Sequence, residues 1–224
     1  MIKKIVVDSS SLISLSTNCM LWVLDKLREA TKVQFVMTPE VRREVVDKAL
    51  KIERFRLGAV RVLKRLGNGT IKVEETDPVK TNKILAVANA VYSVKGQSYK
   101  IVHKGEIGLI PLGNNVLIDE RIVEKLITDP VRLKQIFENR LHMPVSINKS
   151  KLDEFKSLTS GVMIIKSSDL IAIAHEKGLL KEYIRECMSD KTMRDFISGA
   201  LWGLKKSGCS ISTLDIREYM KILF

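Results

Sequence analysis

Ile2-Lys3-Lys4-Ile5-Val6-Val7-Asp8-Ser9-Ser10-Ser11-Leu12 is the stretch on which the fold turns. A short β-branched run that stops at an acid and three serines reads as a buried strand whose carboxyl end delivers Asp8. The placement matters because side chains leaving the carboxyl ends of an open α/β sheet converge on a crevice where ligands bind. The serines suit the cap of the next helix, with Leu12, Leu15, Leu24 and Leu27 among its apolar positions and Asn18 as a break.

Working outward, residues 33–37 form a second apolar run that leads into Thr38-Pro39-Glu40, a good helix start with Thr as cap and Pro at the first helical position. The helix turns Val41, Val45 and Val46 inward and presents Glu40, Arg43, Glu44 and Asp47 elsewhere. Residues 51–66 are amphipathic, with Arg54, Arg61 and Arg65 in a basic stripe that is the best local candidate for RNA phosphates. A solvated outer face explains the same spacing equally well. Residues 71–73 suit an edge strand, 80–94 a helix, and 116–118 a buried strand ending in Asp119-Glu120-Arg121. Residues 128–160, punctuated by Pro130 and Pro144, read as a helix-containing insertion. After a strand at 162–165, residues 168–224 form a helical segment, with breaks at Gly178 and Gly208. The alternation predicts an α/β fold over 1–224, a central parallel sheet flanked by helices, as one domain carrying an insertion.

Composition narrows the function classes. Lys plus Arg number 38 against 26 Asp plus Glu, a net charge of +12 that favours polyanionic partners. No apolar run approaches the roughly 18 residues of a membrane span, and the first strand ends in no cleavage pattern, so a cytoplasmic protein without membrane attachment is expected. Cys19, Cys187 and Cys209 lie far apart, which argues against a disulfide framework and against zinc.

Four acids sit at predicted strand ends or early in helices: Asp8, Glu44, Glu106 and Asp119. Hard divalent cations such as Mg²⁺ or Mn²⁺ take oxygen ligands from a few carboxylates and the substrate phosphate, so an acidic bowl in a basic protein is coherent chemistry for cutting RNA. Each acid also has an ordinary reading as a helix cap or a solvated side chain.

In their order these motifs resemble the PIN-domain nucleases. Val6-Val7-Asp8-Ser9-Ser10-Ser11-Leu12-Ile13-Ser14-Leu15 is similar to the family's opening strand and turn, and Thr38-Pro39-Glu40-Val41-Arg42-Arg43-Glu44 to its second acidic helix start. His103-Lys104-Gly105-Glu106 resembles its Gly-Glu helix start, and Leu117-Ile118-Asp119-Glu120-Arg121 its strand-end acid pair. Residues 170–180 and 208–212 resemble the last helices of a prokaryotic subfamily. The resemblance implies a Mg²⁺- or Mn²⁺-dependent ribonuclease, with Asp8, Glu44, Glu106 and Asp119 as metal ligands, Glu120 as an auxiliary acid and Ser10 as a hydroxyl that orients Asp8. It departs from the family after Glu106, where Gly108 and Pro111 shorten the usual helix, and over 128–160. Asp169 is a rival acid, because Ser168-Asp169-Leu170 resembles a helix of VapC-type toxins. Family-level expectations for partners are RNA, an antitoxin protein and a second copy of the chain. The competing reading is a catalytically degenerate PIN fold that binds RNA or protein without cutting, and a third is a DNA nuclease of the flap type.

Overall fold

The computed structural model describes residues 3–119, 121–181 and 191–224, so Glu120 and Cys187 lie outside the described residues. Its strands are β1 (Lys4–Val7), β2 (Gln34–Met37), β3 (Ile71–Val73), β4 (Tyr92–Val94), β5 (Gln97–Ser98), β6 (Asn115–Leu117), β7 (Val145–Ile147) and β8 (Met163–Ile165). Five of them form a parallel sheet in the order β3-β2-β1-β6-β8. Val6 pairs with Val36 on one side and Val116 on the other, so the opening run is the central strand. Its burial is that of a strand covered on both faces: Val6, Val7, Phe35, Val36 and Leu117 are all sealed from solvent. The fold is α/β with helices flanking this sheet.

From β1 the chain steps outward to β2 and β3, then returns to the opposite flank of β1 to lay down β6 and β8. The winding direction therefore reverses between β1 and β6, the kind of switch point at which open α/β sheets bind ligands. Helix α1 (Ser9–Thr17) leaves β1 directly. Its cap is Asp8 itself, and the serines form its first turn. Asn18 ends it, before α2 (Trp22–Thr31).

After β2, α3 (Pro39–Arg42) opens with Thr38 as cap and then widens into a π-turn, Arg43–Lys48. The valines explain the widening. In a regular helix, at about 100° per residue, Val46 would point roughly 140° away from Val41; the extra residue per turn lets Val41, Val45 and Val46 all enter the core. Glu44, between them, is left exposed. Helix α4 (Glu53–Gly67) follows and packs on α1.

One prediction fails. The helix expected over 80–94 is α5 (Pro78–Ala88), and Tyr92–Val94 is a strand. Asn89 stops the helix, because its side chain accepts from the N–H of Ile101 (2.7 Å) and Val102 (3.0 Å) and donates to the Val102 carbonyl. Lys95 and Gly96, both at positive φ (50° and 79°), then close a two-residue hairpin. Beyond it come α6 (Lys104–Ile107), one turn long, and α7 (Arg121–Thr128).

Residues 128–160 supply α8 (Pro130–Leu141), β7 and α9 (Lys149–Leu158). This segment is knitted to the hairpin, since β7 joins β4 and β5 in a three-stranded antiparallel sheet and α9 packs on α5. Phe137 meets Tyr92 and Tyr99 edge-on with ring centroids 5.4 Å apart. After β8 come α10 (Ser167–Glu176) and the helices Lys191–Lys206 and Thr213–Leu223, which pack on one another.

The sheet should carry most of the stability. Phe35→Ala, which empties a fully buried site in β2, is expected to cost about 3–5 kcal/mol, whereas Val79→Ala on the surface should stay within about 0.5 kcal/mol; urea midpoints of the two variants check this.

Candidate active site

The carboxyl edge of the parallel sheet collects acids because each strand ends there in a polar turn. Asp8 follows β1 and is only 1% exposed. Its Oδ2 accepts from the Ser10 backbone N–H at 2.9 Å and from the Ser10 hydroxyl at 2.6 Å, and its own N–H reaches the Leu117 carbonyl of β6. The same Ser10 oxygen accepts from the Asp119 N–H at 3.2 Å. One hydroxyl therefore ties the ends of β1 and β6 across the switch point. Burial pushes the Asp8 carboxyl above its ordinary range, the Ser10 bonds pull it back in part, and the charge of Glu44 raises it further.

Asp119 lies two residues beyond β6 and is fully buried. Its Oδ1 accepts from the Ser167 N–H at 2.8 Å, while Oδ2 is buried with no N–H or O–H donor among the described residues. The Cys209 thiol faces this carboxylate as a weak S–H donor and is pushed strongly upward, first by its own burial, then by the Asp119 charge and by that hydrogen bond. Glu44 comes to the same edge from the π-turn: Asp8 feels its charge, and its Oε1 is 4.0 Å from where a side chain on Gly105 would begin. That puts it beside α6, which carries Glu106. The Glu106 Oε2 accepts from the His103 N–H at 2.8 Å and so caps the start of its own short helix.

The structure thus links Asp8 to Asp119 through Ser10, brings Glu44 within reach of Asp8, and sets Glu106 on the neighbouring turn. Among the described residues no three His, Cys, Asp or Glu side chains gather into a ready-made metal cage. The donors nonetheless suit a hard cation in kind and in charge. They are carboxylate oxygens, one of them buried with no N–H or O–H donor, and among the described residues none of Asp8, Glu44 and Asp119 forms an ion pair with Lys or Arg.

Asp169 is engaged elsewhere. It accepts from the Lys166 N–H at 2.8 Å and from the Tyr219 hydroxyl, closing the start of α10. The basic stripe of α4 is also largely committed. Arg65 is paired with Asp25 at 3.0 Å and Arg61 donates to the Ser16 carbonyl at 3.0 Å. Arg54 lies 4.5 Å over the Phe55 ring, on the rim of an apolar groove of about 360 Å³ that Glu44 also borders. What sequence reading missed are Lys166 and Ser167, just past β8, and Ser210, before the last helix: Ser167 and Ser210 donate backbone N–H groups to Asp119, and Lys166 donates to the Ser210 carbonyl. The sequence signal for the first two is that Lys166-Ser167-Ser168 interrupts an apolar run immediately after a strand; Ser210, in the connection between two helices, carries none.

Compared with protein-family models, with curated proteins and with solved structures, the chain finds no match in any of the three.

Two consequences follow for stability. The folded state holds the Asp8 proton more tightly than the unfolded chain, so this group destabilises at neutral pH and the penalty fades as pH falls toward the ordinary aspartate range. Asp8→Asn, which keeps a capping oxygen, should therefore melt above the parent at neutral pH, with the gap closing on acidification. Ser10→Ala, which leaves the Asp119 N–H unsatisfied and removes the shorter bond to Asp8, should cost about 1–3 kcal/mol by denaturant titration.

Proposed function

We propose that this protein is a metal-dependent endoribonuclease with a PIN-like active site, hydrolysing RNA phosphodiester bonds at the crevice between the ends of β1 and β6. The reading is carried by one observation: two buried acids, Asp8 and Asp119, lie at the carboxyl ends of adjacent strands where the winding reverses, joined by Ser10 and, among the described residues, without an ion pair to Lys or Arg. In a chain of net charge +12, burying unpaired negative charge is costly unless a cation completes the site.

Asp8, Asp119 and Glu44 would hold Mg²⁺ or Mn²⁺, with Glu106 on the adjacent turn and Glu120 next in sequence as further oxygen donors. Such a metal, when bound, activates water and neutralises the charge that builds on the phosphate. The protein's own contribution is positioning. Ser10 fixes the rotamer of Asp8, and Ser167 holds one oxygen of Asp119 so that the other remains for a ligand. Glu44, exposed on the π-turn, is the acid most accessible to an incoming strand. The physiological role that fits is either the toxin half of a toxin–antitoxin pair or an RNA-processing enzyme of the cytoplasm, with RNA, an antitoxin protein or a second copy as partners. No described helix is long and apolar enough to cross a membrane.

A second reading has its own support. Helix α6 lasts a single turn and Glu106 is spent on its own cap, which favours a degenerate PIN fold that grips RNA without cutting it. Cleavage of matched single-stranded RNA and DNA separates the readings. The nuclease should cut RNA in Mn²⁺, lose at least about a hundredfold in rate as Asp8→Asn or Asp119→Asn, and show a melting temperature raised by Mn²⁺ in the parent but not in Asp8→Asn. An inert parent whose stability ignores divalent cations hands the case to the binding module.

A further inference from the structure

Beyond the acids, the same edge of the sheet holds a polar pocket of about 400 Å³ whose walls include Glu124, Lys125, Arg132, Lys166, Ser210 and Asp215. It abuts the candidate active site. Lys166 directly follows β8, the neighbour of β6, and the Ser210 N–H donates to the Asp119 carbonyl at 2.9 Å. Glu124 and Lys125 stand on α7, the helix that leaves the Asp119 turn.

The pocket's acids are already engaged. Glu124 pairs with Lys166 at 2.9 Å through Oε1 and accepts from the Ser210 hydroxyl at 2.9 Å through Oε2. Asp215 accepts from the Ser212 N–H at 2.7 Å, closing the start of the last helix; that bond, with Lys166 and Lys125 nearby, holds its carboxyl below the usual range. Lys125 and Arg132, by contrast, have no carboxylate within salt-bridge distance among the described residues. Among the described residues the pocket thus sets three cations against two anions, and Lys125 and Arg132 line it without forming an ion pair. An acidic cleavage site repels the strand it must hold, so phosphates flanking the scissile bond need cations close by on the same edge. The stripe on α4 is a poor supplier, because Arg61 and Arg65 are held by the fold.

We propose that this pocket is a phosphate-binding subsite, in which Lys125 and the Arg132 guanidinium take the oxygens of a backbone phosphate next to the one being cut. The choice of an RNA phosphate over a free one rests on the nuclease reading; the anion chemistry does not.

The test uses the full chain bearing Asp8→Asn, with and without Lys125→Gln and Arg132→Gln together. Inorganic phosphate, titrated at constant ionic strength, should move the amide resonances of Lys125, Ser210 and Ser212 saturably, and the double change should abolish this. Absence of localised shifts overturns the pocket as an anion site. With a labelled single-stranded RNA, the double change should lower the slope of log affinity against log salt by about 1.4, two contacts at roughly 0.7 each. Lys83→Gln with Lys156→Gln, two exposed lysines on α5 and α9, should leave the slope unchanged. Equal loss in both pairs, or phosphate binding without any effect on RNA, overturns the subsite. Should Asp8→Asn cut RNA as well as the parent, the cleavage site assigned to Asp8 falls, and should the parent itself be inert the nuclease reading falls, while in either case the phosphate titration still decides the pocket.

Discussion

The Ser10 hydroxyl, caught between the ends of two strands that are 109 residues apart at this point in sequence, is the contact on which the arrangement of the acids depends. It donates to Asp8 at the end of β1 and accepts from the main chain of Asp119 just past β6. Strand pairing alone would align β1 and β6, but it would leave the two carboxylates free to rotate away from each other. With the hydroxyl in place, Asp8 has one rotamer and the turn after β6 has one path. The geometry of the acids then follows from that of the sheet.

This arrangement concentrates an electrostatic cost. Asp8 and Asp119 are removed from water, Glu44 adds like charge to Asp8, and one oxygen of Asp119 has no N–H or O–H donor among the described residues. Elsewhere in the chain positive charge is abundant, yet the described lysines and arginines form no ion pair with these acids. Among the described bases, Lys125, Arg132 and Lys166 line a pocket on the same edge and form no ion pair with these acids. Separating the two signs of charge in this way suits a polyanion whose scissile phosphate must approach acids while its neighbours are held by bases.

Much of the sheet was legible in the sequence. Residues 2–7, 33–37, 116–118 and 162–165 are short apolar runs bounded by turn chemistry, and each corresponds to a strand of the parallel sheet. Tyr92–Val94 was not legible, since a strand of three residues following a helical stretch carries no period of its own; only Lys95-Gly96 marked the hairpin. The π-turn was hidden for a related reason, because consecutive valines at 45 and 46 fit a buried helix as easily as a widened one.

Local sequence determined that acids would stand at strand ends, because a buried apolar run must be closed by polar residues that can cap the next helix, and Asp8 and Asp119 are the residues that follow the runs. It also determined the excess of positive charge. Tertiary structure alone decided which of these groups remain available. Arg61 and Arg65 look free on a helical wheel but are bound to Ser16 and Asp25, residues 45 and 40 positions away. Lys125 and Arg132 look ordinary in sequence but share a cavity with Lys166. A side chain's chemistry is written in its own residue, whereas its freedom to use that chemistry depends on partners that only the folded chain brings within hydrogen-bonding reach.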